Sequence, residues 1–236
     1  MDIGQIAIDA AVIAAAYLIG GIPWGVVIAR VTGGPDPRTI GSGRTGGANV
    51  MRALGPRAAL ASGLLDVGKG IVAVWLAIAV GGGIGIQALA ALAAILGHSR
   101  SVFIGFSGGR GIAPGFGGLI VIQPLAAAIV IPIFAGVLLI SRYSSLASLT
   151  ATALGAAVVI AIVVASQQSW LYAVYAIGAA AMIWLFHIDN IQRLLGLVAA
   201  GELEVVVDST YPLAETAAAH AHLEGRHAFG RVVLVP

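Results

Sequence analysis

Cysteine is absent from this sequence, and charged residues are scarce. Without cysteine, disulfides, thiol chemistry and thiolate metal sites are excluded. Charged residues make up 9% of the 236 residues, whereas a soluble globular chain typically has about 25%. Hydrophobic side chains account for 59% of the chain. This composition excludes an ordinary soluble domain and indicates an integral membrane protein.

The few charges are unevenly distributed along the chain. Residues 1–198 contain ten basic and five acidic residues, a net charge of +5, whereas residues 199–236 contain two basic and five acidic residues, a net charge of −3. This change in composition near Ala199 is the best boundary in the sequence. We therefore expect a membrane domain over 1–198 and a separate C-terminal tail over 199–236.

Seven apolar runs are candidates for membrane-spanning helices. The first begins without the basic residues of a cleaved signal peptide, so we expect it to be retained. A span needs roughly 20 apolar residues, and several runs are short or interrupted by glycine or proline. Hydropathy alone therefore allows five to seven spans. The runs lie at about 5–30, 58–80, 84–97, 111–123, 125–140, 146–165 and 169–186.

The arginines favour seven spans. With seven, the first, third and fifth connections contain seven arginines, and the alternate connections at 81–83, 123–124 and 166–169 contain no charge. Positive residues concentrate in cytoplasmic loops, which places the arginine loops and the C-terminus in the cytoplasm and the N-terminus outside. The predicted fold is an all-α integral membrane protein with seven transmembrane helices and a short α/β-like C-terminal tail.

The first arginine loop, at 41–55, has the composition of an anion site. It combines glycines with Arg44, Asn49 and Arg52. Successive backbone N–H groups of a glycine-rich loop can form an anion-binding concavity, and guanidinium adds charge and a rigid set of donors. The loop also matches G-x-G-x-x-G, but no βαβ pattern surrounds it, so we reject a dinucleotide site.

Two further polar clusters flank apolar runs on the same predicted side of the membrane. His98 ends the third run and precedes Arg100 and Arg110, and His187 ends the last run shortly before three polar residues, Asp189, Asn190 and Arg193. Asp66 and Lys69 lie one helical turn apart inside the second run, where ionisable residues are usually paired. For these two residues a structural ion pair and a substrate contact are equally good interpretations.

Taken together and in this order, these segments resemble the PlsY family of bacterial acyl-phosphate:glycerol-3-phosphate acyltransferases. The resemblance covers about residues 5–198. It rests on YLIGGIPWG (17–25), DPRTIGSG (36–43), NVMRALG (49–55), LDVGKG (65–70), GH (97–98), VFIGFSGGRG (102–111), RYSSLAS (142–148) and HIDNIQRLL (187–195). The family implies seven spans, an active site facing the cytoplasm, and a location in the bacterial inner membrane.

The resemblance implies transfer of an acyl chain from acyl phosphate to the 1-hydroxyl of glycerol 3-phosphate. We expect His187, Asn49 and Asn190 to be catalytic, with His187 or the donor's own phosphate as the base. Neither a metal nor a cofactor is expected, and the partners are the two substrates and the bilayer, not nucleic acid. The expected phosphate-binding residues are Gly41, Ser42, Gly43, Arg52, His98, Gly108, Gly109, Arg110, Gly111 and Arg193.

The chain also departs from the usual family pattern. Arginine stands at 44 and 110, where asparagine and lysine are usual, and several polar or cationic positions are changed: Ala48, Ser107, Pro114, Phe186, Ile188 and Asp189. Two other functions stay open. One is an inactive acyltransferase relative, and the other is a membrane carrier or binding protein for a phosphorylated metabolite.

The tail resembles a different family. GELEVVVDSTYPLAE (201–215) and the segment up to Leu234 look like the C-terminal end of quinone oxidoreductases and zinc-type alcohol dehydrogenases, in the order strand, turn, short helix, strand. Fewer than about 40 residues cannot normally bury a core alone, so we predict no oxidoreductase activity. A gene fusion or reading-frame artefact is the leading explanation, and His220, His222 and His227 are expected to be solvated.

Overall fold

The computed structural model describes residues 2–199, 207–224 and 231–235. It divides into two compact units, Met1–Ile188 and Asp189–Pro236. The described part of the chain before the tail is almost entirely helical. Its helices are α1 (Ile3–Gly21), α2 (Trp24–Thr32), α3 (Gly47–Leu54), α4 (Pro56–Ala79), α5 (Ile84–Ser99), α6 (Ile112–Ile122), α7 (Pro124–Ser141), α8 (Ser144–Ser166) and α9 (Leu171–Ala199).

Among the residues that the structure describes, five helices are long and apolar enough to cross a membrane: α1, α4, α7, α8 and the Leu171–Ile188 part of α9. Two other apolar helices, α5 and α6, are shorter. At 1.5 Å per residue, the 16 residues of α5 reach about 24 Å and the 11 residues of α6 about 16 Å, against a hydrocarbon core of about 30 Å. All seven predicted apolar runs contain a helix, and five of these helices have full spanning length.

The first predicted run, at 5–30, is not one helix. It is divided into α1 and α2 at Ile22 and Pro23. Proline lacks the backbone N–H that would continue the helical ladder, and its ring clashes with the preceding turn. The break leaves the Ile22 carbonyl outside the helical hydrogen bonding, and Lys69 Nζ donates to it at 3.0 Å.

Small residues let the helix backbones approach closely. Gly97 of α5 lies against the Tyr17 carbonyl of α1, and Gly70 of α4 lies against the Pro114 carbonyl of α6, so that a β-carbon at either glycine would overlap backbone atoms. Small residues allow such close approach between membrane helices, where packing replaces hydrophobic burial as the driving force. These two glycines therefore allow α1 to pack closely on α5 and α4 on α6.

The outer surface of the helices is apolar. Large hydrophobic side chains are exposed along the spans, for example Trp75, Leu139, Ile140 and Trp184. Soluble monomers rarely expose large contiguous apolar patches. An apolar exterior on long helices suits contact with lipid, as the composition predicts.

The tail contains two short strands and a helix. Strand β1 (Val207–Pro212) pairs in parallel with β2 (Arg231–Val235), and helix α10 (Thr216–Glu224) lies between them in the chain. The order of strand, helix and strand agrees with the prediction from sequence. Of the three tail histidines, His220 is exposed and His222 half-buried, and His227 lies outside the described residues.

Candidate active site

The segment before α3 is a tight, polar turn. Asp36 caps a short 3-10 helix by accepting the Arg38 backbone N–H, and the two side chains form an ion pair at 2.6 Å. The side-chain hydrogen bond from Arg38 holds the pKa of the Asp36 carboxyl below its usual value. Gly41 and Gly43 then adopt left-handed backbone, with φ of 60° and 68°, which glycine tolerates without strain.

The predicted 41–55 loop is a loop only in its first half, because Gly47–Leu54 forms helix α3. Asn49, which is 2% exposed, ties the two halves together. Its amide nitrogen donates to Ser42 Oγ at 3.1 Å and to the Arg44 carbonyl at 2.9 Å, and its amide oxygen accepts from Arg52 at 2.5 Å. Gly41 lies directly against Asn49 and Arg52.

These contacts bring four of the predicted residues of this segment into one cluster: Gly41, Ser42, Asn49 and Arg52. The amide of Asn49 is used within the cluster, which fits an orienting role. The Arg52 side chain is exposed and is held by its contact with Asn49. The arrangement fixes a guanidinium beside a glycine turn, which is the geometry an anion site needs.

The second predicted loop connects α5 to α6. It turns through a 3-10 helix at Val102–Ile104, returns at a bridge between Ser101 and Ser107, and reaches Gly111 with φ of 79° at the start of α6. The Gly109 N–H donates to the His98 carbonyl at 3.0 Å. The 108–111 segment therefore lies across the end of α5 and leads into the N-terminus of α6.

A buried charged cluster lies beneath this loop. Asp66 Oδ1 is 2.8 Å from Lys69 Nζ and 3.5 Å from His98 Nδ1. The side chains of Asp66, Lys69 and His98 are 5%, 3% and 7% exposed. The predicted pairing of Asp66 with Lys69 is present, and His98 joins it. The other ring nitrogen of His98 faces Gly109.

Arg110 reaches a helix that sequence reasoning did not include in the site. Its Nη1 donates to Ser145 Oγ, in the first turn of α8, at 2.8 Å. The motif RYSSLAS at 142–148 gave a signal for this region, but a serine at a helix start is usually a cap, and its spacing from Arg110 is 35 residues. Ser145 is therefore a site candidate that only the folded chain reveals.

His187 lies close to the end of the second arginine loop. The residue is 4% exposed, and Gly111, at the end of that loop, lies against Ile183, one turn earlier in α9. Nearby, the Arg100 guanidinium lies 5.4 Å from the centre of the Phe186 ring, a distance at which cation–π attraction operates. Arg100 thus contacts the segment 186–187, and the convergence of all three predicted clusters on this segment stays a prediction.

The His187 ring has a defined hydrogen bond. Its Nδ1 is 2.8 Å from the Ile183 carbonyl oxygen, one turn earlier in α9. A carbonyl oxygen only accepts, so Nδ1 carries the hydrogen and Nε2 carries the lone pair in the neutral ring. His187 is therefore arranged to accept a proton at Nε2.

An apolar cavity of about 340 Å³ lies between α6, α7, α8 and α9. Its lining includes Ile112 and Ala113, which follow directly after Gly111, and Ile183, one turn before His187. Most of the remaining lining is aliphatic or aromatic. The cavity thus has one end beside the loop and the histidine, and it offers a place for a long apolar group.

Two predicted site residues cannot be placed. Asn190 and Arg193 belong to α9, but their side chains lie outside the described part of the chain. Within the residues that the structure does describe, no group of three or more His, Asp or Glu side chains is arranged to hold a metal ion.

Comparison with known proteins identifies the family of this chain. A family model described as Glycerol-3-phosphate acyltransferase matches residues 10–196. "Glycerol-3-phosphate acyltransferase 3" of Dehalococcoides mccartyi is 41% identical over 201 residues, which cover 78% of this chain and 91% of the relative. A glycerol-3-phosphate acyltransferase of Thermus thermophilus is 40% identical over 179 residues, covering 76% of this chain and 87% of the relative.

Two solved structures share the fold. A crystal structure of PlsY (YgiH), an integral membrane glycerol 3-phosphate acyltransferase in its glycerol 3-phosphate form, matches with a TM-score of 0.71 at 36% identity, over 80% of this chain and 92% of that one. The lysophosphatidic acid form matches with a TM-score of 0.70 at 34% identity, over the same shares of the two chains. The family match ends at residue 196, before the tail. The chain belongs to the glycerol-3-phosphate acyltransferase family, as a multi-pass integral membrane protein of the PlsY type.

Proposed function

We propose that this protein transfers an acyl chain from acyl phosphate to the 1-hydroxyl of glycerol 3-phosphate, giving lysophosphatidic acid and phosphate. One observation carries the proposal: His187, Arg100 and the arginine-bearing 108–111 loop lie beside an apolar cavity that Ile112 and Ile183 line. Such a site suits a substrate with an anionic head and an apolar chain. The family relatives are glycerol-3-phosphate acyltransferases, and one PlsY structure is a glycerol 3-phosphate form.

The two loops hold the two phosphates of the reaction. Around the first, Gly41 and Ser42 present backbone N–H groups and a hydroxyl beside the Arg52 guanidinium, and Gly43 closes the turn by donating its N–H to the Ile40 carbonyl at 3.3 Å. Around the second, segment 108–111 presents its backbone and Arg110, which Ser145 orients at 2.8 Å. Arginine binds phosphate through paired donors of fixed geometry, so each loop combines charge with a shaped set of N–H groups. Arg193, six residues after His187 in α9, is a further candidate for phosphate.

The reaction needs alignment more than covalent catalysis, because acyl phosphate is an activated mixed anhydride. The 1-hydroxyl oxygen attacks the carbonyl carbon and forms a new C–O bond, with negative charge on the former carbonyl oxygen. The bond from this carbon to the phosphate oxygen then breaks, and phosphate leaves with the electron pair. Holding both reactants in position can supply several kcal/mol of the barrier, up to roughly 7–11 in the best cases.

His187 takes the proton of the attacking hydroxyl at Nε2. The hydrogen bond from Nδ1 to Ile183 keeps the ring in the required tautomer. The phosphate of the donor is the alternative acceptor. Asn49 orients the first loop. The backbone N–H groups of this loop stabilise the oxyanion. Asn190, three residues beyond His187, is a further catalytic candidate.

The acyl chain lies in the cavity between α6, α7, α8 and α9, with its carbonyl near Gly111 and His187. Apolar lining favours a long alkyl chain because burial stabilises by about 0.8 kcal/mol for each CH₂ group. The cavity therefore sets the preference for chain length. This assignment places the reactive carbonyl between the cavity and the phosphate loops.

Replacing Ala180 of the cavity wall by phenylalanine is expected to shorten the preferred acyl chain. Ala180 lines the cavity and is half-buried, so a phenyl ring at this position enters the space of the chain. We expect kcat/KM for a long-chain acyl phosphate to fall roughly tenfold relative to a short-chain one, the scale of small steric changes in apolar pockets. Ala161→Phe, on the exposed face of α8, is the control. Equal effects of both substitutions would contradict the assignment.

Seven helices cross the membrane of a bacterial cell, α5 and α6 included, with the N-terminus outside and the active site facing the cytoplasm. The charge distribution supports this arrangement. The absence of cysteine makes it directly testable. We expect a membrane-impermeant thiol reagent applied to intact cells or spheroplasts to label Ser169→Cys but neither Thr39→Cys nor Val102→Cys, all at exposed positions. Labelling of both Ser169→Cys and Thr39→Cys would contradict the proposed orientation, and labelling of Val102→Cys, between α5 and α6, would mean that these two helices do not cross.

The proposed reaction is tested with purified protein in liposomes. Acyl phosphate and glycerol 3-phosphate are supplied, and both phosphate release and lysophosphatidic acid are measured, with a reaction lacking glycerol 3-phosphate as the control for hydrolysis. We expect equal amounts of the two products, from the full chain and from a chain ending at residue 199. Folded protein that releases no phosphate, or that only transports glycerol 3-phosphate, would exclude the proposal.

A further inference from the structure

The buried cluster of Asp66, Lys69 and His98 connects three parts of the membrane unit. Lys69 donates to the Ile22 carbonyl, at the break between α1 and α2, at 3.0 Å. Asp66 forms an ion pair with Lys69 on its own helix and faces His98 on α5. Charged groups in a membrane interior are costly and are usually functional or paired. The cluster is paired, and its position directly beneath the 108–111 loop points to a further role.

Gly109 is a glycine because of the His98 ring. Its backbone is not among those with positive φ, so an L-residue could adopt its conformation. A β-carbon at Gly109 would, however, overlap Nε2 of His98. The ring and the loop are therefore in direct contact, and the ring cannot withdraw freely, since its Nδ1 faces Asp66 at 3.5 Å.

Backbone contacts also join the loop to His98. The Gly109 N–H donates to the His98 carbonyl at 3.0 Å, and Gly108 lies against the same carbonyl. Arg110 follows directly and donates to Ser145. Thus the position of His98 determines where the 108–111 segment lies, and this segment determines where the Arg110 guanidinium lies.

We propose that His98, held by the Asp66–Lys69 pair, is a positioning residue. Its ring sets the distance between the 108–111 loop and the end of α5, and so places Arg110 for phosphate binding. This inference rests on the proposed acyl transfer. It gives His98 a role different from direct phosphate contact, because its two ring nitrogens face Asp66 and Gly109. It also explains why an ion pair is kept inside a membrane domain at the level of the loop.

A double-mutant cycle between His98 and Gly109 tests the proposal. Gly109→Ala alone pushes the loop off the ring, and His98→Ala alone removes its support, so each is expected to lower kcat/KM about tenfold, mainly through KM for the substrate whose phosphate the loop holds. In the double variant the alanine methyl group enters the space that the ring left. We expect the double variant to be no worse than the poorer single variant, a coupling of about tenfold, within the range for contacting residues.

Independent effects would overturn the inference. If kcat/KM of the double variant fell by the product of the two single effects, about a hundredfold, the ring and the loop would act independently. If His98→Ala does not fold, the cycle is repeated with His98→Asn, whose amide can still donate to Asp66 while leaving room beside Gly109. Because the three variants are compared with an active wild type, a wild type without acyl transfer would overturn the proposed function instead.

A matched control separates positioning from general destabilisation. Gln123 Nε2 donates to Gln168 Oε1 at 2.8 Å, a largely buried link between two connections that carry no charge. Gln123→Ala is expected to lower the melting temperature while KM for both substrates stays within about twofold of wild type. A similar rise in KM from Gln123→Ala would mean that KM reports only on stability, which would overturn the positioning role.

Discussion

Replacing His187 by glutamine is expected to lower kcat by about a hundredfold to ten-thousandfold, with little change in KM. Transfer of a proton to a positioned side chain typically contributes a factor of this size. The Ile183 carbonyl fixes the hydrogen on Nδ1, so Nε2 is the basic atom, and glutamine keeps a polar side chain of similar length without that basicity. Initial rates with saturating acyl phosphate and glycerol 3-phosphate measure the change.

The control for this experiment is His220→Gln. His220 is exposed on α10, outside the part of the chain that matches the family, and its replacement should leave kcat unchanged. A loss of less than about fivefold for His187→Gln would contradict the role of His187 as the base. The phosphate of the donor would then be the proton acceptor, since it is the other basic group that the reaction brings to the hydroxyl.

Some of this site could be predicted from the sequence because its chemistry is local. The Asp66–Lys69 pair follows from a spacing of three residues within an apolar run, since such residues share one face of a helix. The alternation of charged and uncharged connections predicts that the arginine loops share one side of the membrane. Family resemblance then gave the reaction. These features depend on short spacings or on topology, both of which are visible in the sequence.

Other features depend on contacts between distant residues. His98 joins Asp66 across 32 positions, and Ser145 meets Arg110 across 35, so no spacing rule indicates either contact. The same holds for the apolar cavity, which four helices enclose. Such contacts are decided by how the helices pack, and the close approaches at Gly70 and Gly97 that set this packing look like any other glycines in a sequence that has 33.

Helix α3 shows a different reason for an incomplete prediction. The segment was expected to be a loop because glycines precede and follow it, and glycine is a poor helix former. The residues between the glycines, 48–54, form the helix nevertheless, because Val50 is fully buried beneath Gly25 and Asn49 is clamped by three hydrogen bonds. Tertiary contact overrode local propensity, and it placed Arg52 in the last turn of a short helix.

Replacing Arg52 by alanine is expected to raise KM for the substrate whose phosphate it binds by about tenfold to a hundredfold. Hydrogen bonds to charged groups contribute about 1.5–3 kcal/mol, which corresponds to this range. The Arg52 guanidinium is exposed and is fixed beside Gly41 by its bond to Asn49, so it offers its remaining donors to an anion. KM is measured for each substrate in turn at saturating concentration of the other.

Two further variants make this result specific. Arg52→Lys keeps the charge but loses the planar set of donors, so its KM should fall between those of wild type and Arg52→Ala. Arg57→Ala removes an exposed arginine five residues later, at the start of α4, and should leave both values within about twofold. If Arg52→Ala raised neither KM, or if Arg57→Ala raised one equally, the first loop would not bind phosphate through Arg52. The rise in one KM and not the other would also identify which substrate the 41–52 segment holds, because each phosphate belongs to one substrate.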